Sequence, residues 1–191
     1  MRAIEQIAFK SNDIESRIKS IGWMFPFNGN PDQDHMTRNQ RVTKWVHDRV
    51  SAVLVYSNPD FNLPPTGSGF QVQLAFNYDI IASKELELIQ LLSGHTVQFE
   101  DRNENEGLSH LGYHIRDGDR LRAEIEWWNT LKFPCAQVAA TTDHTGTSKR
   151  YLYAFIDTRR QIGAFTKIIS RVTYPHQINE WIEEFRHVNT I

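Results

Sequence analysis

The chain has 191 residues, 40% of them apolar, 12% aromatic and 23% charged, enough to bury one substantial core or two small modules. With 21 Lys and Arg against 23 Asp and Glu, the formal net charge of −2 removes any global pull toward nucleic acid or an anionic membrane. The single cysteine, Cys135, allows no internal disulfide, and no run approaches the ~18 apolar residues of a spanning helix, so a cytoplasmic protein without nucleic-acid or membrane partners is expected.

The first element, IEQIAFK, alternates as a strand does, with Ile7 and Phe9 on one side and Gln6 and Ala8 on the other. A helix is expected next. Asn12 with Glu15 three residues on has capping-box spacing, Ile14 and Ile18 recur at i and i+4, and Gly22 can end the helix in a left-handed conformation. PFNGNPDQDHMTRNQ and NPDFNLPPTGSG cluster Pro, Gly, Asn and Asp and read as loops, of a size more often functional than idle. RVSAVLVYS, FQVQLAFNY and ELELIQ read as three strands.

The pattern then repeats. LSHLGYHI places Leu111, Tyr113 and Ile115 on one side and His110, Gly112 and His114 on the other, so that Gln6 aligns with His110. Asp117 or Asp119 can cap a second helix with Leu121, Ile125 and Trp128 as its apolar stripe, and Pro134 prevents its continuation. CAQVAATT, RYLYAFIDT and FTKIIS supply three more strands, and Lys167 stands where Glu87 stood. The organisation is strand, helix, three strands, twice: 1–95 with long loop insertions, a linker over 96–107, a second module over 108–170 and a helical tail over 171–191. In the tail, Ile178, Trp181, Ile182 and Phe185 share a face that packs on its own domain or joins a homodimer.

Taken singly, the polar residues on these strands are ordinary. Gln6 and Glu87 can be solvated strand residues, with Glu85 on the same face as an alternative carboxylate. His110 alone suggests a hydrogen-bonded interior histidine. His35, His47 and His144 share no metal-ligand spacing, and the chain lacks a nucleophile elbow, a phosphate-binding loop and a dinucleotide fingerprint. The doublets Arg120/Arg122 and Arg159/Arg160 read as solvated faces.

The repeat, with IEQIAF, LELIQ, GLSHLGYHI and YAFIDTRRQIGAFTKII, resembles the glyoxalase, or vicinal oxygen chelate, superfamily, in particular its glyoxalase-like branch related to methylmalonyl-CoA epimerase. That resemblance implies an α+β fold in which two βαβββ modules curve their mixed sheets around one cavity. It also implies four cavity residues that ligate a divalent metal, here Gln6, Glu87, His110 and Lys167, with Glu87 and Lys167 in the catalytic positions and His114 and Tyr153 lining the wall. Amide, carboxylate and imidazole donors suit Zn, Ni, Co, Mn or Fe, and such an ion would polarise a small oxygenated substrate for a lyase, isomerase or epimerase. Lys167 departs from the usual carboxylate ligand and base. Its ammonium either pairs with Glu87 and replaces the metal's charge, as in a metal-free binding or sequestering protein, or is neutralised or swung away from a three-ligand site. The balance favours Lys167 paired with Glu87 in a cavity without a tightly bound metal; a binding protein of that kind could use Lys167 to grip an anionic group.

Overall fold

Strand alternation and helical periodicity place the elements twice in the same order. The first half comprises β1 (Gln6–Lys10), α1 (Ile14–Met24), β2 (Val46–Ser57), β3 (Gly69–Asn77) and β4 (Glu85–Ser93). The second comprises β5 (Gly107–Ile115), α2 (Asp119–Thr130), β6 (Cys135–Thr142), β7 (Leu152–Ile156), the single turn α3 (Arg159–Ile162) and β8 (Phe165–Ser170), followed by α4 (Pro175–Val188). The structure is a computed structural model that describes residues 3–24, 45–77, 84–100, 106–142, 151–170 and 175–188. The longer expected loop, 26–40, lies outside these residues.

The strands close into one barrel in the order β1-β4-β3-β2-β6-β7-β8-β5, with β5 pairing back onto β1. Within each half the first and last strands run parallel, β1 with β4 and β5 with β8. The halves meet along two antiparallel seams, β1 with β5 and β2 with β6. This is the α+β arrangement of two βαβββ modules around one interior, and closure leaves no open sheet edge where both neighbours pair. The internal alignment holds residue by residue. Gln6 faces Glu85 and Ala8 faces Glu87 across β1 and β4, while His110 faces Phe165 and Gly112 faces Lys167 across β5 and β8.

Burial divides into an inner set and two outer ones. Inside, Ala8, Leu54, Phe70, Val97, Phe99, Phe155 and Phe165 belong to one apolar cluster. Outside the first half, Ile14, Ile18 and Ile21 of α1 pack on Leu86 and Leu88; outside the second, Leu121 packs with Tyr113 and Ile168. Each fully buried aliphatic side chain contributes on the order of 1.5–3 kcal/mol. Ile178 and Trp181 of α4 join that second outer cluster beside Val55 of β2, so the tail packs on its own domain and spans both halves. Arg122 lies 4.3 Å over the Trp181 ring and pairs with Glu184, and Arg159 pairs with Asp157 at 2.9 Å, so both arginines hold structure. The side chain of Phe185 lies outside the described residues.

Local differences from the sequence reading have plain causes. The cap of α1 is Asp13 rather than Asn12: its Oδ1 accepts the Ser16 N–H at 3.1 Å, whereas the Asn12 N–H goes to Glu106. Helix α1 also runs through Gly22 to Met24. In the second half the Asp117 carboxylate accepts the Arg120 N–H at 3.2 Å. Gly163, with φ of 73°, ends α3 in the left-handed conformation that the spacing after Asp157 and Thr158 requires. The segment expected to join the halves does more than that, because Val97, Gln98 and Phe99 form a buried 3-10 turn beneath the barrel interior.

Candidate functional site

Gln6 on β1, Glu87 on β4, His110 on β5 and Lys167 on β8 meet inside the barrel. Their parallel strands carry them inward at matching registers, and small residues make the room. Ala8 and Gly112 occupy equivalent positions on the inner face, and a Cβ on Gly112 would lie 2.9 Å from Gln6 Oε1. His110 Nε2 is 2.8 Å from Gln6 Oε1 and 3.1 Å from Glu87 Oε2. Lys167 Nζ donates to Glu87 Oε2 at 3.3 Å and sits 5.3 Å over the Tyr153 ring. The Gln6 amide in turn donates to Glu85.

The far side of the imidazole settles its proton. His110 Nδ1 lies 3.0 Å from the Gln98 amide nitrogen and 3.1 Å from Ser109 Oγ, two donors, so Nδ1 accepts. Nε2 faces two acceptor oxygens and therefore carries the hydrogen. Burial, and then the nearby Lys167 ammonium, push the His110 pKa from 6.5 down to about 4 against the opposing pull of Glu87, so the ring is neutral. For Glu87, burial opposes the charged form, yet Lys167 and the His110 N–H outweigh it and hold the carboxyl below its ordinary range. The group is thus an ion pair with a neutral histidine donor.

The network forms part of the wall of a cavity of about 240 Å³ to which all eight strands contribute. The apolar wall includes Phe70, Leu74, Phe76 and Ile169, and the polar lining includes Asp48, Glu85, Thr141 and Tyr151. His114 and Tyr153 lie in its lining, and His114 Nδ1 pairs with Glu5 at 2.7 Å. His110 itself lies behind the network, fully buried, rather than on the cavity surface. Burial also raises the Tyr153 hydroxyl above its usual range.

Gln98, Ser109 and Asp48 escaped the sequence reading. Gln98 sat in a segment read as a linker, although its apolar neighbours Val97 and Phe99 carried a burial signal. Ser109 lies on the strand next to His110, where strict alternation sends it to the opposite face; the register shift between β1 and β5 at Ala8 and Phe9 breaks that rule nearby. Cys135 begins β6 and is buried, with its thiol pushed up to about 12 by burial, which leaves it inert. His47 lies 3.6 Å from Glu15 on the outer surface, away from the site, whereas His35 and His144 fall outside the described residues.

The four-residue set does not fit a divalent metal as it is arranged. The nitrogen that would ligate carries a proton, and the fourth position presents an ammonium 3.3 Å from the carboxylate that would have to bind the ion. At ~4 Å and an effective dielectric near 20, each unit of charge on an incoming cation would be repelled by roughly 4 kcal/mol.

No protein-family model matches the sequence, and no curated protein matches it. Among solved structures, a Streptomyces coelicolor methylmalonyl-CoA epimerase variant in complex with 2-nitronate-propionyl-CoA is similar at 11% identity over 90% of this chain and 96% of that one, with a TM-score of 0.44. A methylmalonyl-CoA epimerase in complex with methylmalonyl-CoA and ammonium is similar at 10% identity over 90% and 96%, with a TM-score of 0.44. A variant of 4-hydroxymandelate synthase from Streptomyces coelicolor is similar at 11% identity over 89% of this chain and 48% of that one, with a TM-score of 0.46. These structural neighbours have vicinal oxygen chelate folds, and the assignment of architecture here rests on the strand order itself.

Proposed function

We propose that this protein binds a small oxygenated molecule in the barrel cavity without a divalent metal, with the Lys167–Glu87 ion pair taking the place of the cation. The observation that carries this reading is the 3.3 Å contact between Lys167 Nζ and Glu87 Oε2, made with His110 and Gln6 already committed to each other at 2.8 Å. An ammonium in that position supplies the positive charge that Glu87 needs, and a metal would have to expel it. The apolar wall contributes affinity through burial, and Lys167, Tyr151 and Thr141 offer polar contacts.

A lyase or isomerase that works through a divalent ion makes the opposite prediction, and thermal denaturation in the presence of Mn²⁺, Co²⁺, Ni²⁺ or Zn²⁺ separates the two. The wild-type midpoint should not move with any of them, whereas Lys167→Glu, which supplies a second carboxylate, should gain a saturable stabilisation by at least one. A saturable wild-type stabilisation that Glu87→Gln abolishes would replace the binding reading with the metal-dependent one.

A further inference from the structure

The charges around the cavity argue against an anionic ligand. Asp48, Glu85 and Glu87 line it together with one ammonium, Lys167, and that ammonium is already matched by Glu87. A carboxylate placed against Lys167 would also face Glu87 and Glu85; an amine placed against Glu87 would face Lys167. Like charges at such range are unfavourable on either side.

What the ion pair offers instead is a donor beside an acceptor. Glu87 is only 1% exposed, and its Oε2 takes both the His110 and the Lys167 hydrogen bonds, while its Oε1 has no partner among the described residues. Lys167, with 11% of its side chain exposed, spends one N–H on Glu87, and its other two have no hydrogen-bond partner among those residues. Both residues line the cavity. An acceptor and a donor that face the cavity side by side select a ligand that satisfies both, because an analogue lacking either group leaves a polar atom unmatched in a low-dielectric site. The cavity volume of about 240 Å³ equals that of about eight waters, at roughly 30 Å³ each, which limits the ligand to a small one.

We infer that the ligand is a neutral molecule of the amide class, its carbonyl accepting from Lys167 and its N–H donating to Glu87, with a small apolar body against Phe70, Leu74 and Ile169. This rests on the binding reading above and replaces the expectation that Lys167 grips an anion. The test is an NMR titration of the wild-type protein with four probes of one shape: benzamide, benzoate, benzylamine and acetophenone, which keeps the carbonyl but lacks the N–H. Benzamide should shift the Ile169 methyl resonances saturably and leave those of Ile178, on the outer face, unmoved. The other three should bind at least about tenfold more weakly, the equivalent of one lost hydrogen bond. Lys167→Met should weaken benzamide by about the same factor, and the acetophenone comparison gives the answer without any variant. Equal binding by benzoate, benzylamine or acetophenone would overturn the amide assignment and leave the cavity reading standing. Shifts caused by a divalent ion and by none of the probes would overturn both. No shift with any probe or ion would overturn the assignment.

Discussion

The two halves of the barrel share strand order and register but bring different chemistry to the same point. At equivalent positions the first half presents Gln6, Glu85 and Glu87, and the second presents His110, Phe165 and Lys167. One half supplies two carboxylates and the other supplies the cation and an apolar ring, so the charge that a metal would balance is balanced between the halves. The comparison teaches that a duplicated scaffold fixes where side chains meet and leaves open what they do there. It also makes the ion pair a link between modules rather than a feature of either.

The largest break in that comparison comes from removing the cation. Lys167→Met leaves Glu87 buried and uncompensated and should cost about 3–5 kcal/mol by chemical denaturation, while the double variant with Glu87→Gln should recover most of the loss. A smaller cost in the single variant than in the double would mean that the two side chains are not coupled.

Acid probes the same network through His110. Its free pKa is 6.5 and its folded value about 4, so between those pH values the unfolded chain binds a proton that the folded chain does not, and stability rises with pH. The contribution is complete above pH 6.5 and falls by about 3 kcal/mol on descending to pH 4, as the difference of the two pKa values requires. The depressed Glu87 acts in the same direction at lower pH, since its carboxylate is stabilised only while ionised. Stability measured against pH for wild type and for His110→Gln should show a slope between pH 6.5 and 4.5 in the wild type that the variant lacks.

Gly112→Ala sharpens the equivalence of Ala8 and Gly112. The new Cβ would meet Gln6 Oε1 at 2.9 Å and Gln6 Cβ at 3.2 Å, so Gln6 must give way, at about 1–3 kcal/mol and with loss of its contact to His110. The smallest effect belongs to the helix start: Asp13→Ala should cost about 1 kcal/mol, and Asn12→Ala much less, which a pair of melting curves would check.

Much of this was legible in the sequence because strand period and internal repetition are local signals. Matching Gln6 to His110 and Glu87 to Lys167 predicted the register that the parallel strands adopt. The inward direction of Gly112 and His114 followed from the same alternation. The site was less legible wherever a partner lies far along the chain or in irregular backbone. Gln98 is held against His110 by a 3-10 turn that no periodicity announces, and Ser109 turns toward its own neighbour near a register shift. Asn12 and Asp13 both suit a cap, and the start of the helix at Ile14 decides for Asp13, whose carboxylate then meets the Ser16 N–H. Glu85 was read on the face of Glu87, but the charge of the cavity was not fully legible, because Asp48 becomes part of its lining only once the barrel has closed.

The most direct measurement is elemental analysis of the untagged protein before and after treatment with a chelator. The ion-pair account predicts far less than one divalent ion per chain in both samples and an unchanged melting curve. Near-stoichiometric metal that Glu87→Gln removes would contradict it, and would mean that Lys167 stands aside from a cation held by Gln6, Glu87 and His110.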